Sequence, residues 1–189
     1  MQLLKTGHAD FVIEPRELFS DARFPSQVLF GDRWLCAVDA KNPYVRGNRL
    51  TMKQYLQLPH LVYSIGTDRQ LNLADQHVGQ SGVRRRIDVT IESFLVVPFL
   101  LEGTVMISLI LERAARRLAG TTRVRTLKPP LRLPDIHETL YWHLAIRPIR
   151  DIVGSDSVVP QLRRSCSFVR LSKARNLHQR TDNSGQHPL

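Results

Sequence analysis

Apolar positions in this chain come in short runs that switch between two periods. Alternation with β-branched side chains predicts strands at 10–13 (DFVI), 26–30 (SQVLF), 33–39 (RWLCAVD), 60–65 (HLVYSI), 85–91 (RRIDVTI), 104–110 (TVMISLI), 124–127 (VRTL) and 137–144 (HETLYWHL). Gly31-Asp32 between the second and third runs reads as a tight turn. Helical spacing appears at 52–58, where Thr51 is a suitable N-cap and Pro59 closes the segment. It recurs from Thr67 onward, with Leu71, Leu73, Ala74 and Val78 on one face and Gly79 as a stop. Ser93 can cap a helix over 94–102 that Gly103 ends, and Pro98 requires that helix to be short, kinked or late-starting. A basic helix over 111–119 stops at Gly120, and a proline-rich stretch precedes the last strand.

Strands alternating with short helices predict an α/β domain with a mostly parallel sheet covered on both faces. In such sheets ligands sit beyond the C-terminal strand ends, where backbone N–H groups are free. The Ser64–Thr67 loop and the turn Glu92-Ser93-Phe94 therefore share one rim and are the candidate cradle for an anion or carboxylate. Ser93 also reads simply as the cap of its own helix. Periodicity fades after His143, which divides the chain into a folded part, 1–143, and a divergent basic tail, 144–189, whose last ten or so residues are expected to be disordered.

An apolar content of 42% over 189 residues supports a folded core. The net charge of +10 is uneven: residues from Leu144 onward hold 8 Lys/Arg against 3 Asp/Glu, half of the surplus in a quarter of the length. Such a tail can add salt-sensitive attraction to nucleic acid or remain a solvated segment. Cys36 and Cys166 cannot form a disulfide framework or a cysteine-rich metal site, and Cys36 reads as a small buried hydrophobe. The longest apolar stretch, 94–110, is interrupted by Pro98, Glu102 and Gly103 and falls short of the ~20 residues of a membrane span. No secretion pattern opens the chain, so a cytoplasmic location is expected. No G-x-S-x-G elbow occurs, and His137-Glu138 followed by His143 has the wrong spacing for a zinc-protease helix. Gly79 to Arg86 lacks the phosphate-loop lysine, and Arg84 to Arg86 reads as a solvated triplet. These features predict no catalytic residues, no metal and no cofactor.

Several segments resemble the effector-binding domain of LysR-type bacterial transcription regulators, in the branch of nodulation and aromatic-degradation regulators. They are LLKTGHADFVI, LFGDRWLCAVDAKNP, LTMKQYLQLPHLVYS, VRRRIDVTIESFLVVPFLLEG, ERAARRLA, LKPPLRLP and LYWH, in the family's order and spacing. The resemblance implies a two-lobe, periplasmic-binding-protein-like (type II) clamshell with lobe one incomplete. It implies a small organic or aromatic acid as inducer, bound by Ser64, Thr67, Ser93, Phe94, Ser108, Arg116 and Tyr141. Phe94 and Tyr141 would stack on a ring, and Arg116 would pair with a carboxylate. The implied partners are a second copy or a full-length relative, with DNA read only through a helix-turn-helix that this sequence does not show. The opening strand and helix of lobe one are likewise not seen, which predicts poor solubility or partner-dependent folding. The tail also departs from the family's Pro-x-His-x-Trp-x-Arg helix. Codons for 147–156 are compatible with that motif in a shifted frame, so the residues after His143 are expected to be a nonnative extension.

Three functions follow: the inducer-binding part of a LysR-type regulator, a standalone ligand-binding or dominant-negative dimerisation module, and a basic nucleic-acid-associated protein acting through its tail. Ligand-induced stabilisation by organic acids would favour the second, and salt-sensitive binding to any DNA, lost on deleting the residues after Leu144, the third.

Overall fold

The computed structural model describes residues 2–18, 24–65 and 70–143. The chain forms two compact units. Among the described residues the smaller takes 2–14, 24–29 and 139–143; the larger takes 15–18, 30–65 and 70–138.

In the smaller unit, helix α1 (Gln2–Lys5) precedes strand β1 (Phe11–Pro15). Leu4, Ala9, Val12 and Tyr141 are buried together, with Leu3 and Phe24 packed against them. Strands β2 (Ser26–Asp32) and β9 (Ile136–Trp142) join β1 in a three-stranded sheet of order β1-β9-β2.

The larger unit is built on a second sheet. Its elements are β3 (Trp34–Asp39), α2 (Met52–Gln57), β4 (His60–Ile65), β5 (Gln70–Leu71), α3 (Leu73–Gln80), β6 (Ile87–Ile91), a 3-10 turn at Phe94–Val96, α4 (Val97–Leu101), β7 (Ile107–Leu111), α5 (Glu112–Leu118) and β8 (Val124–Leu127). Along the sheet, β6, β4, β7, β3 and β8 are successive neighbours, and β5 pairs with the end of β4. The core packs Cys36, Val38, Leu61, Ile107, Leu109 and Leu127 from the strands against Tyr55, Ala74, Val78, Val97 and Leu101 from the helices.

The sheet is mixed, contrary to the expectation of a mostly parallel one. β4 runs parallel to β6 and β7, whereas β3 is antiparallel to both β7 and β8. Ile107 is the partner of both Val38, at the end of β3, and His60, at the start of β4. The connection between these strands therefore stays at one end of the sheet and needs no crossover to restore direction. Gly31-Asp32 is not a turn either. Both residues lie in β2, and only Arg33 separates β2 from β3, which belong to different sheets.

Local chemistry explains most boundaries. Thr51 and Gln54 form a capping box at α2: Thr51 Oγ1 accepts from Gln54 N (3.2 Å) and Thr51 N donates to Gln54 Oε1 (2.9 Å). Helix α3 starts later than its apolar spacing suggests, because Leu71 is drawn into β5 and Asn72 becomes the cap, accepting from Asp75 N at 3.0 Å. Pro98 shortens α4 to a single turn and sits at its start, where no N–H is needed. The basic triplet departs from its solvated reading at Arg85. That side chain is 4% exposed and donates to the buried Asp75 carboxylate at 2.6 Å, joining α3 to the approach of β6.

Candidate functional site

Because β4, β6 and β7 are parallel, their C-terminal ends emerge on one rim of the larger unit, beside the N-terminal end of antiparallel β3. The residues on this rim are Ser64 from β4, Ser93-Phe94 after β6, Glu112-Arg113 after β7 and Asp32-Arg33 before β3. Short side-chain reach from fixed strand ends is what lets an open sheet hold a ligand there.

Ser64 is buried, and its hydroxyl donates to Ile91 O at 3.3 Å, linking the ends of β4 and β6. Ser93 occupies the N-cap position in an extended conformation, yet its side chain makes no capping hydrogen bond and is exposed. Phe94 is half-buried, its ring 6.1 Å from that of Tyr63 and tilted by 46°. These three sequence-predicted residues share the rim. Arg116 joins it from α5, with an exposed guanidinium that donates to Glu112 at 2.9 Å one turn back. Ser108 is placed elsewhere: it faces Ala37 in the middle of β7, 1% exposed, and its hydroxyl has no hydrogen-bond partner among the described residues. Tyr141 belongs to the smaller unit and is buried in its apolar cluster. Thr67 lies outside the described residues.

The rim holds a recess of about 310 Å³ that sequence reading touched only through Arg116. Asp32, Arg33, Glu112, Arg113, Arg116 and His137 line it. Arg33 grips Glu112 with both arms of its fork, Nε at 2.5 Å and Nη2 at 2.9 Å. Arg113 lies over the Phe30 ring, 4.1 Å from its centroid, a cation–π contact that fixes the guanidinium plane. Asp32 is 7% exposed and accepts from Arg33 N (2.8 Å) and Arg113 N (3.3 Å). Burial pushes its carboxyl above the ordinary carboxylate range, against the pull of those backbone donors. Glu112 is held below that range, by Arg33 first and by Arg116 after it. Across the recess His137 meets Glu17, Nδ1 to Oε1 at 2.7 Å and backbone N to Oε2 at 3.1 Å. Three guanidinium groups around one recess suit a planar carboxylate, and Glu112 shows how such a group is seated. Arg33 and Glu112 are 79 residues apart, so no local pattern could have announced the pair. No cluster of metal-ligating side chains occurs among the described residues.

The family model described as the LysR substrate binding domain matches residues 1–147. The chain belongs to this family. Nodulation protein D 1 of Bradyrhizobium diazoefficiens is 34% identical over 140 residues, which are 74% of this chain and 44% of that protein. A probable transcriptional regulator from Pseudomonas aeruginosa aligns with a TM-score of 0.72 at 24% identity, covering 82% of this chain and 52% of that one. The regulatory domain of MexT, a transcriptional activator in Pseudomonas aeruginosa, aligns at 0.61 with 19% identity, covering 86% and 74%. The LysR-type chain thus spans less than half the length of the curated relative it matches. The fold is the periplasmic-binding-protein-like α/β fold of LysR regulatory domains, as expected from the sequence. LysR-type proteins are transcriptional regulators rather than enzymes, and they bind small-molecule inducers and form oligomers. No helix among the described residues is long and apolar enough to cross a membrane.

Proposed function

We propose that this chain is the inducer-sensing part of a cytoplasmic LysR-type transcription regulator and that it binds a small organic or aromatic acid at the rim of its larger unit. The observation that carries this reading is the recess bounded by Arg33, Arg113 and Arg116 at the same strand ends as Ser64, Ser93 and Phe94. A carboxylate would enter the arginine recess, while the exposed Ser93 hydroxyl and the edge of Phe94 would meet its ring or hydroxyl substituents. Ligand binding to the folded state alone raises stability with ligand concentration. Thermal denaturation with benzoate, salicylate and related monocarboxylates should therefore give a dose-dependent rise in Tm. The double variant Arg33→Gln, Arg116→Gln should weaken the apparent affinity about tenfold or more, since charge-assisted pairs are worth roughly 1.5–3 kcal/mol. No shift with any acid at millimolar concentration would end this reading.

A dimerising role is favoured by a separate observation. The 3-10 turn and α4 leave Leu95, Val96, Phe99 and Leu100 exposed, at i,i+4 spacing, while Val97 and Leu101 face the core. A second copy of this chain is the proposed occupant of that face, in keeping with the oligomers formed by LysR regulators. The tail at 144–189, with its basic surplus, is the proposed source of any sequence-independent attraction to DNA.

A further inference from the structure

Helix α5 buries none of its residues, although it lies alongside the sheet of the larger unit. Its alanines are too short to fill the space beneath it. The result is a groove of about 280 Å³, floored by Leu35, Ile110 and Val124 and walled by Ala115 and Leu118. Leu35 and Ile110 are direct cross-strand partners and form the apolar part of the floor, from which Thr126, opposite Ala37, separates Val124. Glu112 and Arg116, one turn apart on α5, line both this groove and the arginine recess. The ion pair between them is thus a common wall between a charged compartment and a more apolar one, whose polar lining is Thr122, Arg125 and Thr126.

We infer that the acid taken by the rim is amphipathic, with its carboxylate among Arg33, Arg113 and Arg116 and an extended apolar body running past Arg116 into the groove under α5. This deepens the proposed function and rests on it. Three features support it. The groove has room for on the order of nine water-sized groups, more than a ring substituent requires and enough for a medium-length chain or a second ring. Leu35, Ile110 and Ala115 offer no side-chain hydrogen bonds, so water against them is poorly held and displaced at a gain, while Thr122, Arg125 and Thr126 line the remaining wall. The wall shared with the recess is made of two side chains on one face of a helix, Arg116 being largely exposed, so its guanidinium can swing from Glu112 to the incoming carboxylate.

The test is the binding of straight-chain monocarboxylates from butanoate to octanoate to the whole chain, followed by calorimetry. Affinity is expected to rise up to about fourfold for each methylene that enters the groove. In Ala115→Leu, which fills the groove from the helix side, octanoate should bind no tighter than butanoate. Nuclear Overhauser contacts between the octanoate methyl group and the methyl groups of Leu35 and Ile110 in the unaltered protein give a readout that depends on no variant. If acids of every length bind equally, or the terminal methyl shows no contact with Leu35 or Ile110, this inference is overturned while the acid site stands. A length dependence that survives intact in folded Ala115→Leu also overturns it. If no acid of any length binds, the underlying function fails instead.

Discussion

His60 is fully buried at the start of β4, and its surroundings define which nitrogen carries the proton. Nε2 lies 2.8 Å from Tyr55 O, which can only accept, so Nε2 donates. Nδ1 faces Arg85 Nη1 at 3.5 Å and keeps its lone pair toward that permanent donor. A second proton would have to enter at Nδ1 against the guanidinium. Burial first, and then the Arg85 charge, lower its pKa to about 4, against the Tyr55 carbonyl and the Asp88 charge, which both raise it. In the unfolded chain the imidazole accepts a proton near pH 6.5. The folded state refuses that proton until about pH 4, so the stability His60 contributes is present above pH 6.5 and lost as pH falls through this window. The loss is on the order of 3 kcal/mol. Asp75, whose carboxyl burial holds above the ordinary range despite Arg85, works in the opposite direction and softens the slope. Chemical denaturation of the wild type and of His60→Gln between pH 7.5 and 4.5 should show a shallower acid decline in the variant. Parallel declines in the two proteins would remove His60 from the account.

At the scale of elements, α4 is the segment least accounted for by the unit it belongs to. Phe99 is 51% exposed on a single turn whose other face reaches the core, and Leu95, on the 3-10 turn before it, is 55% exposed. Aromatic residues at the centre of an interface commonly contribute 2 kcal/mol or more. Phe99→Glu should therefore convert a sedimenting dimer to monomer, weakening association about thirtyfold or more, with unchanged far-ultraviolet circular dichroism. A wild type that sediments as a monomer at tens of micromolar would leave the face unassigned. Most of the strands, though not β5 or the Gly31-Asp32 end of β2, were legible from alternation, and a short α4 was one of the outcomes Pro98 required, both signals being local. Thr51 as a cap was legible for the same reason. The direction of β3 was not, since it depends on which end of the sheet the chain leaves, and the start of α3 moved because pairing with β4 competes with helical spacing at Leu71. The candidate site divided the same way. Ser64, Ser93 and Phe94 followed from strand-end logic, whereas Arg33, Glu112 and Arg113 come together only through long-range pairing. Ser108, named by family resemblance, lies inside a strand between neighbours rather than at its end.

At the scale of the whole molecule, the proposed acid site and the proposed source of attraction to nucleic acid fall in different stretches of the sequence. All the residues assigned to the recess and the groove lie between Asp32 and His137, in the larger unit. Half of the positive surplus lies instead at 144–189, beyond the described residues. Non-specific DNA affinity falls with salt at a slope of about 0.9 per phosphate neutralised. Changing Arg163, Arg164, Arg170, Lys173 and Arg175 to Gln in the full chain should thus flatten that slope by as much as about 4, if those side chains are the ones that contact phosphate. The acid-induced rise in Tm should be the same in both proteins, because none of the five substituted positions belongs to the stretches that form the larger unit. Fluorescence anisotropy of an arbitrary duplex from 50 to 200 mM salt, run beside the thermal titration, reads both quantities on one preparation. An unchanged salt slope would move the DNA attraction onto the folded units, where the rim arginines would then have to serve anions of both kinds. A lost thermal shift would instead mean that the tail takes part in acid binding, and the division of the chain at His143 would have to be abandoned.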